Sequence, residues 1–287
     1  MKKCVPRLKD KVAVITGAAG GIGQAVARLF SQHEAILILT DIRRPGWEEL
    51  GGSENDGSAE VLFAEHNVRD PQSWQLLMDK ILKIYGRLDI LVNNAGVLHP
   101  CAAEELSLEQ VQQQVGVNLL GTIYGCQAAL RIMKSQQHGK IINVASLGGI
   151  VPMPWVAVYS ATKYAIRGYS LSLYAELLDS PVQISVVCPD SVATPQLAYE
   201  LTCDDAVMSF IGKPMNPAHV ARAILKVAVN DMSEMLIPTG MGVMARMGMA
   251  FPGIFFALFP FLRQIGKRTM IKMREGEGKW QCHSTLH

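Results

Sequence analysis

The sequence predicts an α/β domain, a doubly wound parallel sheet of about seven strands flanked by helices, with an apolar C-terminal extension. Two observations carry this expectation. Short apolar runs rich in β-branched residues recur along the chain, each short enough to be a strand buried on both faces. Stretches of helical period lie between them, and such alternation argues for right-handed crossovers within one parallel sheet. Ligands of such a sheet collect at the carboxyl ends of its strands.

The first strand is "KVAVITG", and "TGAAGGIG" (Thr16 to Gly23) leads from it into the helical stretch Ile22–His33. Strand, glycine turn and helix start together make an anion site, because glycines let the backbone approach a pyrophosphate and the helix amides face it. "AILILTD" is the second strand and ends at Asp41, eighteen positions beyond Gly23. An acidic side chain there accepts hydrogen bonds from the adenosine ribose and repels a 2′-phosphate. NAD is therefore the expected cofactor and NADP the less favoured one, although Arg43 and Arg44 stand near enough to attract a phosphate. "GGSENDGSAE" (Gly51 to Glu60) reads as a solvated loop inside the domain, because "AEVLFAEHN" resumes the strand pattern at once. The helix Pro71–Tyr85, the strand "LDILVNNAG", the helix Leu108–Ser135 and the strand "GKIINVAS" follow. The next helix, Val158–Leu178, contains "VYSATKYAIRG", where a spacing of four puts Tyr159 and Lys163 on one face so that their polar ends can meet. "VQISVVCPD", the helix Pro217–Asn230 and "EMLIPTG" complete the set.

Composition narrows the partners. A 49% apolar chain of 287 residues is ample for a sizeable core, and a formal charge of +2 creates no field that would draw nucleic acid. Six cysteines (Cys4, Cys101, Cys126, Cys188, Cys203 and Cys282) show no C-x-x-C and no ligand-like spacing with histidine, so neither a metal site nor a disulfide framework is expected. Lys2 and Lys3 begin a charged stretch that runs directly into the first strand, so an intracellular protein is expected.

With "TGAAGGIG", "NNAG" at Asn93–Gly96, Ser146 and the Tyr159/Lys163 pair in one order, the sequence resembles the short-chain dehydrogenase/reductase family from roughly Lys11 to Gly240. The resemblance implies a Rossmann-type fold in which Asn118, Ser146, Tyr159 and Lys163 form a catalytic tetrad. It also implies that Thr16, Gly17, Gly21, Ile22, Gly23, Asn93, Asn94, Ala95 and Gly96 build the cofactor groove, with Tyr159 and Lys163 at its far end. Asn67 and Val68 would flank the adenine, and "CPDSVATP", with Pro189, Val192 and Thr194, would cover the nicotinamide. Two positions depart from the family pattern: Asn67 stands where an acidic residue is common, and Asp190 where a glycine is common. The first is a conservative hydrogen-bonding swap; the second bears on the loop over the nicotinamide.

Oxidising an alcohol removes a hydroxyl proton while hydride leaves the same carbon, so a base must sit beside that oxygen. Tyr159 is the candidate, and the ammonium of Lys163 one turn away is expected to favour its phenolate. By the family analogy Lys163 also holds the nicotinamide ribose, Ser146 hydrogen-bonds the substrate oxygen, and Asn118 holds a relaying water. Met153, Trp155, Leu197, Tyr199, Leu201, Met208 and Phe210 surround these motifs and predict a greasy pocket for a steroid, retinoid or long-chain alcohol. Two readings of other classes compete, a catalytically silent cofactor-binding regulator and a membrane-surface scaffold. A homo-oligomer is expected.

The extension 241–287 is set apart from the catalytic domain 1–240. "MAFPGIFFALFPFL" (Met249–Leu262) holds five of the eight phenylalanines of the chain. Fourteen residues at about 1.5 Å each fall short of the ~20 that span a bilayer, and Pro252, Gly253 and Pro260 interrupt a long helix. Arg263, Lys267, Arg268, Lys272 and Arg274 follow, which predicts peripheral membrane contact through 249–274, with a lid or an interface element as the alternatives.

Overall fold

The computed structural model describes residues 7–44 and 60–275. The N-terminal lysines, Cys4, Cys282 and the expected loop from Gly51 to Ala59 lie outside the described residues. Seven parallel strands form one sheet, β1 (Val12–Thr16), β2 (Ile36–Asp41), β3 (Val61–Glu65), β4 (Ile90–Asn93), β5 (Gly139–Val144), β6 (Val182–Pro189) and β7 (Glu234–Ile237), in the spatial order β3-β2-β1-β4-β5-β6-β7. The order reverses between β1 and β4, which opens a crevice at the carboxyl ends of these two neighbours.

Strand period decides what each face buries. Ala13 and Ile15 of β1, with Leu37, Leu39, Val92 and Ile142, pack beneath α1 (Gly21–Gln32), and Val220 and Ile224 of the helix Pro217–Ala228 join the same cluster. The opposite residues, Val12 and Val14 with Ile38, Leu91 and Ile141, pack beneath α2 (Pro71–Tyr85), α4 (Gly121–Ser135) and α5 (Ala157–Glu176). Both faces are thus dry, as an all-parallel sheet requires.

Punctuation in the sequence sets the helix ends. Asp70, Thr194 and Asn216 each cap a helix with the side-chain oxygen and are each followed by proline at the first helical position, opening α2, α6 (Pro195–Thr202) and α7 (Pro217–Ala228). Gly86 closes α2 at φ 69°. The helix expected over Leu108–Ser135 is α3 (Leu108–Gln114), a π-helical segment Val115–Leu120, and then α4. The wider turn rotates Asn118 relative to an unbroken α-helix.

The segment after β7 folds into α8 (Thr239–Ala250), α9 (Pro252–Ala257) and α10 (Phe259–Arg274), with breaks where the prolines predicted them. Gly242 lets α8 approach Leu236 of β7, where a Cβ would lie 2.4 Å from the Leu236 Cβ. Gly266 lets α10 press on the 3-10 turn Asp204–Phe210, where a Cβ would lie 2.2 Å from the Val207 carbonyl oxygen. No helix among the described residues is long and apolar enough to cross a membrane.

Candidate active site

The glycine turn is held from beneath by the strand next to it. Thr16 Oγ1 accepts hydrogen bonds from the amides of Asn94 (3.0 Å) and Ala95 (3.1 Å), and Asn94 Nδ2 donates to the carbonyls of Thr16 (2.9 Å) and Gly17 (3.2 Å). Gly17 has φ +65°, and a Cβ there would lie 2.7 Å from Ala95 Cα, so glycine is required on both counts. At Gly23 a Cβ would meet the Gly17 carbonyl at 2.3 Å, which brings the helix start onto the turn. α1 begins with no side-chain cap, and Gly17, Gly20, Gly21 and Ile22 of this turn line a cavity of about 370 Å³. Free helix-start amides beside an open cavity suit a phosphate or pyrophosphate. Asp41 lines the same cavity, with its carboxylate accepting from the amides of Ala19 (3.0 Å) and Arg43 (3.2 Å). The Arg44 guanidinium lies 5.8 Å from the centre of the Phe63 ring. The donors and acceptors present therefore fit a dinucleotide: amides for its phosphates, a carboxylate for its ribose.

Four side chains converge at the other end. Ser146 leaves β5 and accepts a hydrogen bond from the Gly148 amide at 3.0 Å, and its hydroxyl is within hydrogen-bonding reach of Tyr159. Lys163, one turn further along α5 and 4% exposed, donates from Nζ to the Val144 carbonyl at 3.0 Å and lies 5.5 Å from the centre of the Tyr159 ring. Asn118 is fully buried and accepts from the Val97 amide (2.8 Å) while donating to the Val97 carbonyl (2.9 Å) and Thr162 Oγ1 (3.1 Å). Gly96 lies beside these groups: a Cβ on it would be in ordinary contact, 3.5 Å from Asn118 Oδ1 and 3.6 Å from Lys163 Nζ. Thr162, which pins Asn118 from α5, was not singled out by the motifs; its hydroxyl was legible only once the π segment was known.

Electrostatics differ from the expectation. Withdrawal from water pushes the Tyr159 phenol above its ordinary value, and the Glu200 carboxylate adds to this, while hydrogen bonds with Ser146 and Gln196 oppose it. Burial lowers Lys163 to about 8. In this geometry the neighbouring ammonium does not outweigh burial at the phenol.

The remaining expected residues divide by position. Gly21, Ala95, Pro189, Val192 and Thr194 line the cavity, and a Cβ on Gly21 would lie 2.8 Å from Thr194 Cγ2. Thr16, Gly23 and Asn118 stand behind its wall. Asn67 is outside the wall and accepts from the Arg69 amide at 3.1 Å, and Val68 is buried against Gly121. Asn93 is a correction: it is buried on the opposite face of β4 and donates to Asn143 Oδ1 at 2.9 Å, because side chains alternate along a strand and the groove belongs to Asn94 beyond its end. The apolar set divides as well. Met153, Leu197 and Met208 line the cavity, whereas Phe210 is fully buried in a cluster with Leu197, Met208 and Met270, Tyr199 is exposed, and Trp155 lies beneath the Arg263 guanidinium at 4.6 Å. Sequence reasoning missed Gln196 and Glu200, which share this wall. Their spacing of four on α6 was the available signal.

The fold and this site define a dinucleotide-binding α/β oxidoreductase architecture. The family model described as short chain dehydrogenase matches residues 11–202, and the chain belongs to that family. It is similar to D-threitol dehydrogenase from Mycolicibacterium smegmatis, 35% identical over 80% of this chain and 90% of that protein. It is 29% identical to 3-beta-hydroxysteroid dehydrogenase from Comamonas testosteroni over 80% of this chain and 92% of that protein. A short chain dehydrogenase/reductase from Burkholderia phymatum, solved in complex with NAD, superposes with a TM-score of 0.77 at 26% identity, covering 86% of this chain and 95% of that one.

Proposed function

We propose that the protein is an NAD-dependent oxidoreductase that interconverts a lipophilic secondary alcohol and its carbonyl. One observation carries the reading: Ser146, Tyr159 and Lys163 meet at one end of a cavity whose other end is an uncapped helix start beside Asp41. NAD, when bound, supplies the hydride acceptor. Gly17, Gly21, Ile22, Asp41, Asn94, Ala95, Gly96, Pro189, Val192 and Thr194 would hold it, Thr16 and Gly23 would shape the glycine turn from behind, and Asn67 and Val68 would flank its adenine. Tyr159 takes the hydroxyl proton, Ser146 orients the substrate oxygen, Lys163 holds the ribose, and Asn118 supports a proton path to Lys163. The neighbour solved with NAD supports the cofactor, and the relatives named for a steroid and for threitol support an alcohol as the reacting group. Met153, Leu197, Met208 and Met241 support an apolar substrate body. The test is the pure protein with NAD and a panel of steroid, retinoid and long-chain alcohols, read by cofactor absorbance. Reduction with at least one alcohol supports the reading; NAD binding without reduction by any of them favours the silent regulator.

The same reading divides the chain into a catalytic unit, 1–240, and a segment 241–287 that closes the pocket and rests on an anionic lipid surface inside the cell. Phe251, Phe256, Leu258 and Phe261 are exposed, and on α10 the exposed Phe261 shares its outer face with Arg268 and Lys272. Lys267, Arg268 and Lys272 have no carboxylate partner among the described residues, whereas Arg274 pairs with Asp204. An apolar face with unpaired cations complements anionic lipid. Sedimentation with anionic vesicles should retain the full chain and lose the chain truncated before Met241. Full chain left in the supernatant, with truncation converting an oligomer to monomers, would assign the face to a second copy of the protein instead.

A further inference from the structure

The substrate end of the cavity is not uniformly apolar. α6 presents Gln196 and Glu200 one turn apart on its inner side, with Gln196 Nε2 donating to Glu200 Oε1 at 3.3 Å. Gln196 also reaches the Tyr159 hydroxyl, so the pair continues directly from the reacting group. Glu200 is 4% exposed, and its second oxygen accepts from the Ser209 hydroxyl. Neither partner is a cation. Asp190, directly after β6, lines the same cavity as a second carboxylate with no ion pair among the described residues. Among the described residues the cavity is lined by one cation, Lys163, whose Nζ donates to the Val144 carbonyl.

A carboxylate carried into an apolar wall loses its hydration, and two neutral donors replace only part of it. Glu200 lines the cavity, and each of its oxygens, holding one hydrogen bond, keeps a further acceptor site. An anionic substrate meets two carboxylates there, and a substrate with a single hydroxyl leaves Glu200 as it stands.

From this arrangement, which rests on the alcohol-oxidising reading, we propose that Glu200 is a specificity-determining residue, and that the preferred substrate carries a second hydrogen-bond donor, a hydroxyl or an ammonium, that reaches Glu200 while its carbinol lies on Tyr159. Sites built to bond a substrate donor discriminate strongly against the analogue that lacks it, because their own polar groups are left unpaired.

The test compares cyclohexanol, a cyclohexanediol and an aminocyclohexanol as substrates of the NAD-loaded wild type, Glu200→Gln and Glu200→Leu. In the wild type the diol or the amino alcohol should exceed cyclohexanol in kcat/KM by about tenfold or more, carried mainly by KM. Glu200→Leu should bring the three to parity. Glu200→Gln should keep a preference for the diol, whose hydroxyl an amide oxygen accepts, and lose one for the amino alcohol, which separates the two donor types. Parity in the wild type, a preference that survives Glu200→Leu, or an equal kcat loss on all three substrates would overturn the proposal, the last by making Glu200 a support of the lid. If no alcohol reduces NAD, the alcohol-oxidising reading fails by itself. The role of Glu200 is then read from thermal shifts with NAD present, where a larger shift with the diol or amino alcohol than with cyclohexanol sustains it and equal shifts overturn it.

Discussion

At Asp41 one carboxylate does two things: it ties the glycine turn through the Ala19 amide, and it faces the cavity where an adenosine ribose would lie. The wild type should therefore favour NAD over NADP by about tenfold or more, and Asp41→Ala should narrow the gap by relieving repulsion of a 2′-phosphate. Side-by-side kinetics with the two cofactors check this; a wild-type preference for NADP would mean that Arg43 or Arg44 overrides the carboxylate. Lys163 carries a pH dependence. Burial holds it at about 8, below its ordinary value, so the cofactor-free protein has the ammonium below that pH and loses it above. A ligand that favours the ammonium binds with proton uptake, and NAD affinity should fall roughly tenfold between pH 7 and pH 9. Calorimetry at the two pH values should show that slope in the wild type and not in Lys163→Met; a flat wild-type profile would remove Lys163 from the cofactor site. The Tyr159/Lys163 pair was legible because a spacing of four on a helix has one geometric meaning. Asn93 was misplaced by one position, although strand alternation alone separates it from Asn94. Glu200 was overlooked because the apolar residues around it dominated the local pattern, and its burial depends on α6 docking, which is tertiary.

Among the elements, the strands and the long helices followed from period and punctuation, and helix ends agreed to within a few residues. Two features did not follow. The π segment Val115–Leu120 adds a residue to one turn without any proline or glycine pair that would announce it. α6 and the 3-10 turn after it are short, and short elements are fixed more by what they cover than by their own period. The Thr194–Pro195 pair, a cap followed by proline, was a signal for α6 that could have been used. The docking of α10 on this lid turns on Gly266. Gly266→Ala places a methyl 2.2 Å from the Val207 carbonyl, so α10 must shift away from the lid. That variant should lose about 1–3 kcal/mol in denaturant unfolding and raise KM for substrate more than for NAD. Unchanged stability and unchanged KM would show that α10 is not clamped there.

Over the whole molecule, the alternation of strand and helix predicted the parallel sheet, and the crevice at its order reversal placed the cofactor end. The opposite, amino-terminal end of the central strands β1 and β4 is pinned by charge. Asp89, 3% exposed at its side chain, accepts from the Val12 amide at 2.9 Å and is surrounded by Lys11 (3.3 Å), Arg87 and His138 (3.2 Å). Burial opposes ionisation, yet these hydrogen bonds and charges together hold its carboxyl below the ordinary value. A depressed carboxyl contributes stability above its unfolded pKa, and that contribution is lost as the pH falls through the folded value. Asp89→Asn should therefore cost about 3 kcal/mol near neutral pH, and the deficit should shrink in acid as the wild-type carboxyl protonates. Urea unfolding of both proteins at neutral and acid pH tests this, and a deficit independent of pH would mean that Asp89 acts through packing alone.

The central claim is that Tyr159 moves the substrate proton while the rest of the cavity holds NAD. Tyr159→Phe removes one oxygen and leaves the glycine turn, Asp41 and Lys163 in place. The decisive measurement is the pair of NAD dissociation constant and turnover for that variant, on whichever alcohol the wild type oxidises best. The account predicts affinity within about threefold of wild type and a turnover lowered at least a thousandfold. A Tyr159→Phe protein that binds NAD normally and retains half the wild-type rate would contradict it.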